Sequence, residues 1–515
     1  MSKTIILNRF NEGIVNDPRL QREAVCRMSA NFDVLTNSNK ITPYRSSESG
    51  DSAASTSKKQ NFAIALRSGT TYSLYALGVK SGAATAEVLY KDLTTGAAND
   101  LDDDSWAALG AVAKYQSSAG ATNFELFAYY RKTGLIYGAR AGTHIWAYDP
   151  TGAADFADTH QAVTYTQIGQ GIVHSKDDIL YIPYYNNAGA AGAKSFIATN
   201  NNGSWSLTAL TLPDHLIPRS ICEYNDYVAI LCSPASGIGN SRVYLWDRNS
   251  SLTTVSESID WGEGDGKIIE ELEGVLIGIS LSGANSTRFN NRILLKYYSS
   301  TYGAVKFGEI LSSTTGTTAL LIGKQKIDNR LYFMMRAYVN GTQRDGVWSI
   351  GRSSVDTPFA LSHERTPNND TAITTLYNFF IVGDYVFQSY DISGTFGLSK
   401  TDDAANYTAT AVRETVINPG MPPEDRTKKK QLKAIAVSYE KMPAAGQCVI
   451  KYKVDGGSLT TIATETTDDI ITTIRTQTAS GQFTAGREYE FVLESTGGCE
   501  ITELKYSYDL FEEVI

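Results

Sequence analysis

Apolar and polar positions alternate along most of the chain, in short runs rich in Val, Ile, Thr and Tyr that Gly, Asn and Asp interrupt. A period of two is typical of half-buried β-strands. Helical periodicity is confined to residues 16–28, where Asp17 suits an N-cap and Pro18 the first helical position. The apolar stripe of this segment comprises Leu20, Ala24, Val25 and Met28. The pattern therefore predicts an all-β protein whose short N-terminal arm contains one helix.

One unit recurs among the strands: an apolar strand, a tight polar turn and a second apolar strand. Seven such turns follow one another at intervals of about 50 residues. They are Ser68-Gly69, Thr133-Gly134, Asp177-Asp178, Asn225-Asp226, Glu273-Gly274, Asp328-Asn329 and Gly383-Asp384. A third strand follows several of them, as at 144–149, 242–247 and 346–350. This period is typical of β-propeller blades, which bury both faces only by stacking around an axis, so we predict a propeller of about seven blades over residues 60–417.

A series of consecutive β-sandwiches is the rival architecture. It needs about a hundred residues per unit and no shorter common period, so the repeat favours the propeller. A propeller must also close its ring. We expect the closing strands at 31–35 and 40–44 on one side and at 407–412 on the other. Residues 1–59 are thus predicted to form an N-terminal arm with the helix and propeller-closing strands.

The chain changes character at residues 418–423, which contain three of its 13 prolines. Such clustering marks a boundary. Alternating strands follow, and Val454-Asp455-Gly456-Gly457-Ser458 is a strong hairpin signal. We predict that residues 418–515 form a C-terminal antiparallel β-sandwich.

Composition narrows the class of protein. The 515 residues are 42% hydrophobic and 20% charged, which is too apolar for a disordered chain, and the formal net charge is −9. An acidic balance argues against a broad nucleic-acid-binding surface. The five cysteines are scattered, so we expect them reduced and mostly buried. Neither a signal peptide nor an apolar run of membrane-spanning length is evident, which predicts a protein made in a cytoplasm and without a membrane span.

Motifs that would identify an enzyme are missing from the sequence. The five histidines lie far apart without metal-ligand spacing, and no nucleophile elbow, phosphate loop or dinucleotide fingerprint occurs. Residues 260–266 lack the ligand pattern of an EF-hand, and Asp102-Asp103-Asp104 is expected to be a solvated loop. We therefore expect no catalytic, cofactor or metal site, and no enzymatic activity.

Glycosidase and sialidase propellers are the enzymatic alternative. They place carboxylates around the axis, about 5 Å apart for retaining and about 6.5–9.5 Å for inverting hydrolysis. The repeated S-x-D-x-G-x-x-W box of sialidases does not occur here. Asp149 and Asp247 end matched strands, where turn formation is the simpler role. Tryptophans also recur at matched positions and are expected to pack in the core: Trp146, Trp246 and Trp348.

One concentrated basic cluster follows the proline-rich boundary. It comprises Arg426, Lys428, Lys429, Lys430 and Lys433. These residues are candidate contacts to DNA or to an acidic partner subunit. A solvated linker leading into a strand is the simpler interpretation, because short charge runs are usually solvated.

Three features together resemble the β-propeller tail proteins of bacteriophages, especially the nozzle (tail tubular) and hub proteins of short-tailed phages. The opening is similar to the family's F-x-G-G-hydrophobic…N-x-D…P start, with Glu12 in place of the first Gly. Its matching segments are 10–17, 30–34 and 41–44. The propeller is the second feature. The terminal module is the third, with matching segments at 429–440, 452–457, 489–493 and 501–506.

The resemblance implies a structural virion protein rather than an enzyme. It implies a homo-oligomeric ring, a hexamer, that contacts adaptor or portal-proximal tail proteins and tail fibres or spikes. Assembled in the host cytoplasm into the phage tail, such a ring would extend the DNA channel, retain the genome and allow its ejection. An acidic chain suits a channel that DNA traverses without being held. Two alternatives stay open: a glycan-binding or glycan-hydrolysing propeller acting at the host surface, and a scaffold propeller of a cellular complex.

Overall fold

The structure, a computed structural model, describes residues 2–10, 14, 26–37, 39–50, 57–68, 71–80, 85–94, 96, 100–102, 106–113, 126–140, 142–151, 156–187, 194–235, 239–249, 255–282, 292–312, 320–339, 342–352, 357–367, 373–403, 407, 409–479 and 481–511. In these segments the chain is almost entirely β-strand, numbered β1–β40 in chain order. None of their helices has the length and apolarity needed to cross a membrane.

The chain divides into two compact units. Unit 1 comprises Met1–Ser47, Val339–Asn369 and Thr401–Ile515, and unit 2 comprises Glu48–Tyr338 and Asp370–Lys400. The strands before the propeller repeats are β1 Lys3–Leu7, β2 Cys26–Ala30, β3 Phe32–Asp33, β4 Thr42–Pro43 and β5 Ser47–Ser49.

Unit 2 consists of antiparallel groups of strands that are consecutive in sequence. The first two groups are β6 Ser57–Ser68, β7 Thr71–Lys80, β8 Thr85–Asp92 and β9 Ala107–Ala113, then β10 Phe127–Tyr130, β11 Leu135–Arg140, β12 His144–Tyr148 and β13 Phe156–Ala162. The third is β14 Gln167–Ile168, β15 Ile172–Val173, β16 Leu180–Asn186, β17 Lys194–Asn201 and β18 Ser204–Leu212. The fourth is β19 Leu216–Tyr224, β20 Tyr227–Pro234, β21 Asn240–Trp246 and β22 Glu257–Glu263.

Three further groups complete unit 2. The fifth is β23 Asp265–Leu272, β24 Val275–Ser282, β25 Arg292–Ser299 and β26 Gly303–Ser312. The sixth contains β27 Leu320–Ile327 and β28 Arg330–Val339, and the seventh β31 Thr375–Val382, β32 Tyr385–Ile392 and β33 Thr395–Thr401. The intervening β29 Thr342–Gly351 and β30 Ala360–Arg365 belong to unit 1.

The seven groups form a closed series. Contacts join β6 to β10, β15 and β16 to β19, β19 to β23, β23 to β27 and β27 to β31, and β31 returns to β6. A shared apolar cluster, including Tyr130 and Leu180, links the second group to the third. The predicted β-propeller is therefore confirmed, with seven groups of strands among the described residues of unit 2.

The tight turns between first and second strands have the predicted chemistry. Left-handed backbone occurs at Gly134, Asp178, Asn225, Glu273, Asp328, Asn329 and Gly383. Gly, Asn and Asp adopt positive φ most readily, and a two-residue turn of this hand matches the twist of the strands it joins. Of the seven predicted turns, Gly69 alone lies outside the described residues.

Large aromatic side chains fill the space between adjacent groups of strands. Trp146 is fully buried and its indole donates a hydrogen bond to the Ala139 carbonyl at 2.9 Å. Gly138 lies beneath that ring: an added Cβ would come within 1.9 Å of it, so only glycine fits. Trp246 and Trp348 are likewise buried, so the matched tryptophans are core residues.

Unit 1 contains a β-sandwich, as predicted for the C-terminal region. Its later strands are β34 Ala411–Thr415, β35 Lys430–Tyr439, β36 Gln447–Val454, β37 Thr460–Glu465, β38 Thr472–Arg475, β39 Tyr489–Thr496 and β40 Ile501–Leu510, with a short 3-10 helix at Pro423–Asp425. One sheet has the order β1-β40-β35-β38, and β2-β34-β39-β36-β37 follow one another in the other. Side chains of both sheets share one buried core, which includes Leu7, Tyr452 and Tyr506.

The N-terminal arm is part of this sandwich. Its strand β1 pairs antiparallel with β40, and β2 pairs with β34. Strands β3 and β4 pair with each other and also belong to unit 1. The segments expected to close the propeller thus lie in unit 1. In unit 2, the Gly50 N–H instead donates to the Leu398 carbonyl at 2.8 Å, tying the chain before β6 to the last strand.

The predicted N-terminal helix lies largely outside the described residues, which omit 15–25. Its last residues, Cys26 to Met28, are not helical but form strand β2. The pairing of Cys26 with Thr415 provides backbone hydrogen bonds that local helical periodicity does not reveal. Tertiary pairing overrides local propensity here.

Acid should weaken unit 1 through His363. This imidazole is fully buried against the Trp348 ring, with centroids 4.9 Å apart. Burial, aided by the charge of Arg344, lowers its pKa to about 3. Between the unfolded value of about 6.5 and this folded value, only the unfolded chain gains the proton, so stability falls as pH falls by about 1.4 kcal/mol per unit. His363→Gln should remove that part of the slope.

The slope can be measured by equilibrating the full chain in urea at pH 7 and pH 5 and pulse-labelling amides of β30 at one fixed pH. The exposed His215 provides a matched control, since His215→Gln should keep the wild-type slope. Equal slopes for wild type and His363→Gln would contradict the assignment.

Candidate functional site

A cavity of about 330 Å³ opens between the first strands of the propeller groups. We call it the axial cavity. It is lined from six groups, by Asn61, Phe62, Gln170, Gly171, Ile172, Arg219, Ser220, Ile221, Glu270, Gly323, Lys324, Gln325, Lys326, Asn378, Phe379 and Phe380. Because consecutive groups surround it, single residues distant in sequence converge there.

β-Bulges recur in the strands that line the cavity. The register shifts between Lys59 and Asn61 in β6, between Pro218 and Ser220 in β19, between Gly266 and Ile268 in β23, and between Leu376 and Asn378 in β31. An extra residue re-aims the side chains around it. The bulges therefore place polar residues such as Asn61, Ser220 and Asn378 on the wall of the cavity.

Lys324 ties three first strands together. Its ammonium donates to the Ile221 carbonyl at 2.8 Å, to the Ile269 carbonyl, and to Glu270 Oε2 at 2.6 Å. These acceptors belong to β19 and β23, whereas Lys324 lies on β27. The charge is thereby held in a fixed position on the cavity wall.

An amide pairing ties the next two strands. Gln325 Nε2 donates to the Ile381 carbonyl at 2.7 Å, and the Ile381 N–H donates to Gln325 Oε1 at 2.8 Å. The Asn378 side chain accepts from the Phe379 N–H at 2.8 Å. Several polar groups of the cavity are thus held in fixed orientations.

A second ionic group lies beside the fourth and fifth strand groups. Arg219 donates to Gln167 Oε1 at 2.6 Å, and its Nε lies 3.8 Å from Asp265 Oδ1. Lys267 Nζ is 2.5 Å from the other oxygen of Asp265. Burial lowers the pKa of Lys267, opposed by the attraction of Asp265.

Phenylalanines provide the apolar part of the wall. The rings of Phe62 and Phe380 stack with centroids 5.9 Å apart, and Phe379, which also lines the cavity, is buried. The cavity therefore combines flat apolar surface with amides, cations and the carboxylate of Glu270. That composition is typical of a small-molecule site.

The basic cluster predicted to contact DNA or a partner lies in unit 1, and Lys430 is fully buried there. Its ammonium has three N–H donors and lies within hydrogen-bond distance of four carbonyls, those of Asp425, Arg426, Lys428 and Arg487. Burial lowers the pKa of Lys430 to about 8. Lys430 is therefore a structural residue that secures the turn before β35.

The other four cations of the cluster lie nearer the surface. Arg426 donates to the Met421 carbonyl at 2.9 Å, Lys428 lies 3.6 Å from Asp425, and Lys433 lies 3.3 Å from Asp509. The ammonium of Lys429 is 5.7 Å from the centre of the Phe511 ring. A DNA or partner contact through these four stays a prediction.

The remaining candidates have local roles. Asp149 accepts from the Thr151 N–H at 2.9 Å and Asp247 from the Asn249 N–H at 3.0 Å, so both form the expected turns. Asp102 accepts from the Tyr385 hydroxyl, while Asp103 and Asp104 lie outside the described residues.

Across the described ranges, no three His, Cys, Asp or Glu side chains gather closely enough to hold a metal ion. The described cysteines are free and buried.

Sequence reasoning missed the axial residues. The available signal was polarity inside otherwise apolar first strands, as in Arg219-Ser220 and Lys324-Gln325. Neither pair belongs to a motif, and their convergence follows only from ring closure.

Comparison with known proteins gives structural similarity alone. No family model matches the chain, and no curated protein matches it. An exo-β-1,3-galactanase from Phanerochaete chrysosporium, solved with β-1,3-galactotriose, is 11% identical with a TM-score of 0.34, over 90% of this chain and 99% of that one. A structure of the Dos1 propeller is 10% identical with a TM-score of 0.39, over 77% and 93%. Trypanosoma rangeli sialidase with the inhibitor DANA is 10% identical with a TM-score of 0.31, over 98% and 96%.

The expectation that this chain is not an enzyme is contradicted by these comparisons. Glycoside hydrolases and a sialidase are among the similar structures, so the lack of a sequence motif is no ground for excluding catalysis. At these identities the likeness concerns the fold and assigns no reaction.

Lys430→Met should destabilise unit 1 strongly. The apolar side chain would leave four carbonyls without their shared donor in a buried site, at a cost of about 3 kcal/mol. Lys433→Met is the matched control, because Lys433 is half-exposed and its single ion pair contributes little. Urea midpoints read from hydrogen exchange of β35 test the difference, and equal midpoints for the two variants would refute the structural role.

Proposed function

We propose that unit 2 binds carbohydrate in the axial cavity. The observation that carries the proposal is the lining itself, where amide and charged side chains stand beside phenylalanine rings. Sugar hydroxyls both donate and accept hydrogen bonds, as side-chain amides do. The C–H faces of a sugar ring match the flat apolar surface of Phe62, Phe379 and Phe380.

The dimensions of the cavity support this class of ligand. A volume of about 330 Å³ lies at the lower end of ligand sites, which suits one or two sugar residues of a chain that continues outside. Lys326 is exposed at the cavity edge, so the cavity reaches solvent there. The cross-ties made by Lys324 and Gln325 pre-organise the wall, which lowers the entropic cost of binding.

Glu270 is the residue through which binding would extend to hydrolysis. It is the single carboxylate among the described residues of the cavity wall, and its partner Lys324 lies 2.6 Å away. Glycoside hydrolysis uses two carboxyl groups in most families. Release of reducing sugar that Glu270→Gln abolishes would make this chain a hydrolase with Glu270 in its site.

Filling the cavity should abolish binding. Ile172 lines the cavity and also packs against the apolar cluster between the third and fourth groups, so Ile172→Trp would place an indole between that cluster and the space that a sugar needs. Titration calorimetry with β-1,3-galactotriose, trigalacturonate and 3′-sialyllactose should show at least one ligand whose affinity falls by about tenfold or more in this variant. Thr211→Trp adds the same side chain at an exposed position and should bind as wild type does. The proposal fails if no sugar binds at millimolar concentration or if Ile172→Trp binds normally.

The tail-nozzle function is a separate proposal, which rests on the resemblance of the chain's ends and its repeats to phage tail proteins. It predicts a closed ring of six copies made by heterologous contacts. Sedimentation should then detect a particle near six times 56.1 kDa, alone or after mixing with a phage tail adaptor. A 56.1 kDa species at every concentration and in every mixture would contradict it.

A further inference from the structure

The ionic groups around the axial cavity include two balanced pairs. Lys324 lies 2.6 Å from Glu270, and Lys326 lies 2.5 Å from Glu271. Each ammonium therefore has one carboxylate, and these four residues contribute no net charge to the cavity.

The third ionic group is not balanced. Arg219 and Lys267 share one carboxylate, that of Asp265. Asp265 holds Lys267 at 2.5 Å and Arg219 only at 3.8 Å, so it serves mainly the lysine. Among the described residues this group therefore has two cations for one carboxylate, and Arg219, the cation farther from that carboxylate, lines the cavity.

The guanidinium of Arg219 has more N–H donors than the described residues provide hydrogen-bond acceptors. It can donate five hydrogen bonds. Among the described residues its one acceptor within hydrogen-bond distance is Gln167, and its buried Nε has none. A cation that is 14% exposed and incompletely paired is costly unless an anion completes its shell.

We propose that Arg219 receives the carboxylate of an acidic sugar, a uronic or sialic acid, in the axial cavity. This inference rests on the proposed carbohydrate site and names the class of sugar. A guanidinium matches a carboxylate in a two-point geometry, and a neutral sugar cannot supply that charge. The Phe and amide surfaces of the cavity then hold the rest of the ring, and Arg219 selects it.

Paired ligands test the charge directly. Trigalacturonate and its methyl ester have the same sugar residues, but the ester carries –COOCH3 in place of the ionised carboxylates, and 3′-sialyllactose and lactose differ by the acidic residue. Titration calorimetry on the full chain should give an affinity about tenfold or more higher for the acidic member of at least one pair. Arg219→Gln should remove that preference and leave the affinity for the neutral member within about twofold.

Two further variants separate recognition from folding. Arg219→Lys keeps the positive charge but loses the two parallel N–H donors of the guanidinium, so the preference for the acidic sugar should fall without vanishing. Arg242→Gln removes an exposed arginine of the same unit and should leave both affinities unchanged. Equal affinity for both members of each pair, or an unchanged preference in Arg219→Gln, would overturn this inference while carbohydrate binding stands. Absence of binding by all four ligands would instead overturn the proposed function.

Discussion

The propeller of unit 2 depends on the contact between its first and last groups of strands. Phe62 and Leu74 of the first group share a buried cluster with Phe387 and Leu398 of the seventh. Each group has two faces and can bury only one against its predecessor, so an open series would expose an apolar face at each end. Closure of the ring buries both of these apolar faces at once. The contact between the first and seventh groups is therefore a condition for the stability of the contacts between all the other groups.

Closure also creates the candidate site. The first strands meet around an axis, and the axial cavity lies between them. Both polar and apolar side chains line this cavity. The protein uses this position for Lys324, whose ammonium joins three strands, and for Gln325, which joins two. The groups that shape the cavity therefore also stabilise the ring.

The propeller could be predicted from local turn chemistry, whereas features that depend on pairing between distant parts of the chain could not. Turn residues such as Asn225 and Gly383 are of types that adopt positive φ most readily, so their spacing reveals the repeat in the sequence. Strand β1 pairs with β40 at the opposite end of the chain, and no local pattern encodes that partner. The sequence predicts Lys430 in a solvated run, but the residue is buried, because the carbonyls that surround it come from a turn and from Arg487. No sequence pattern indicates the role of Arg219, because its position depends on a bulge and on ring closure.

The net charge of −9 argues against a broad nucleic-acid-binding surface, and it does not oppose the proposal that the cavity takes a small anion. Exposed charges are screened over about 8–10 Å at physiological ionic strength, so the carboxylates of the outer surface have little effect at the axis. Partly buried charges are screened much less, and the local field follows from the few groups that line the wall. A long polyanion meets the whole acidic surface, whereas a single carboxylate that enters the cavity meets Arg219. An acidic outer surface that repels DNA is therefore compatible with the proposed selection of an acidic sugar.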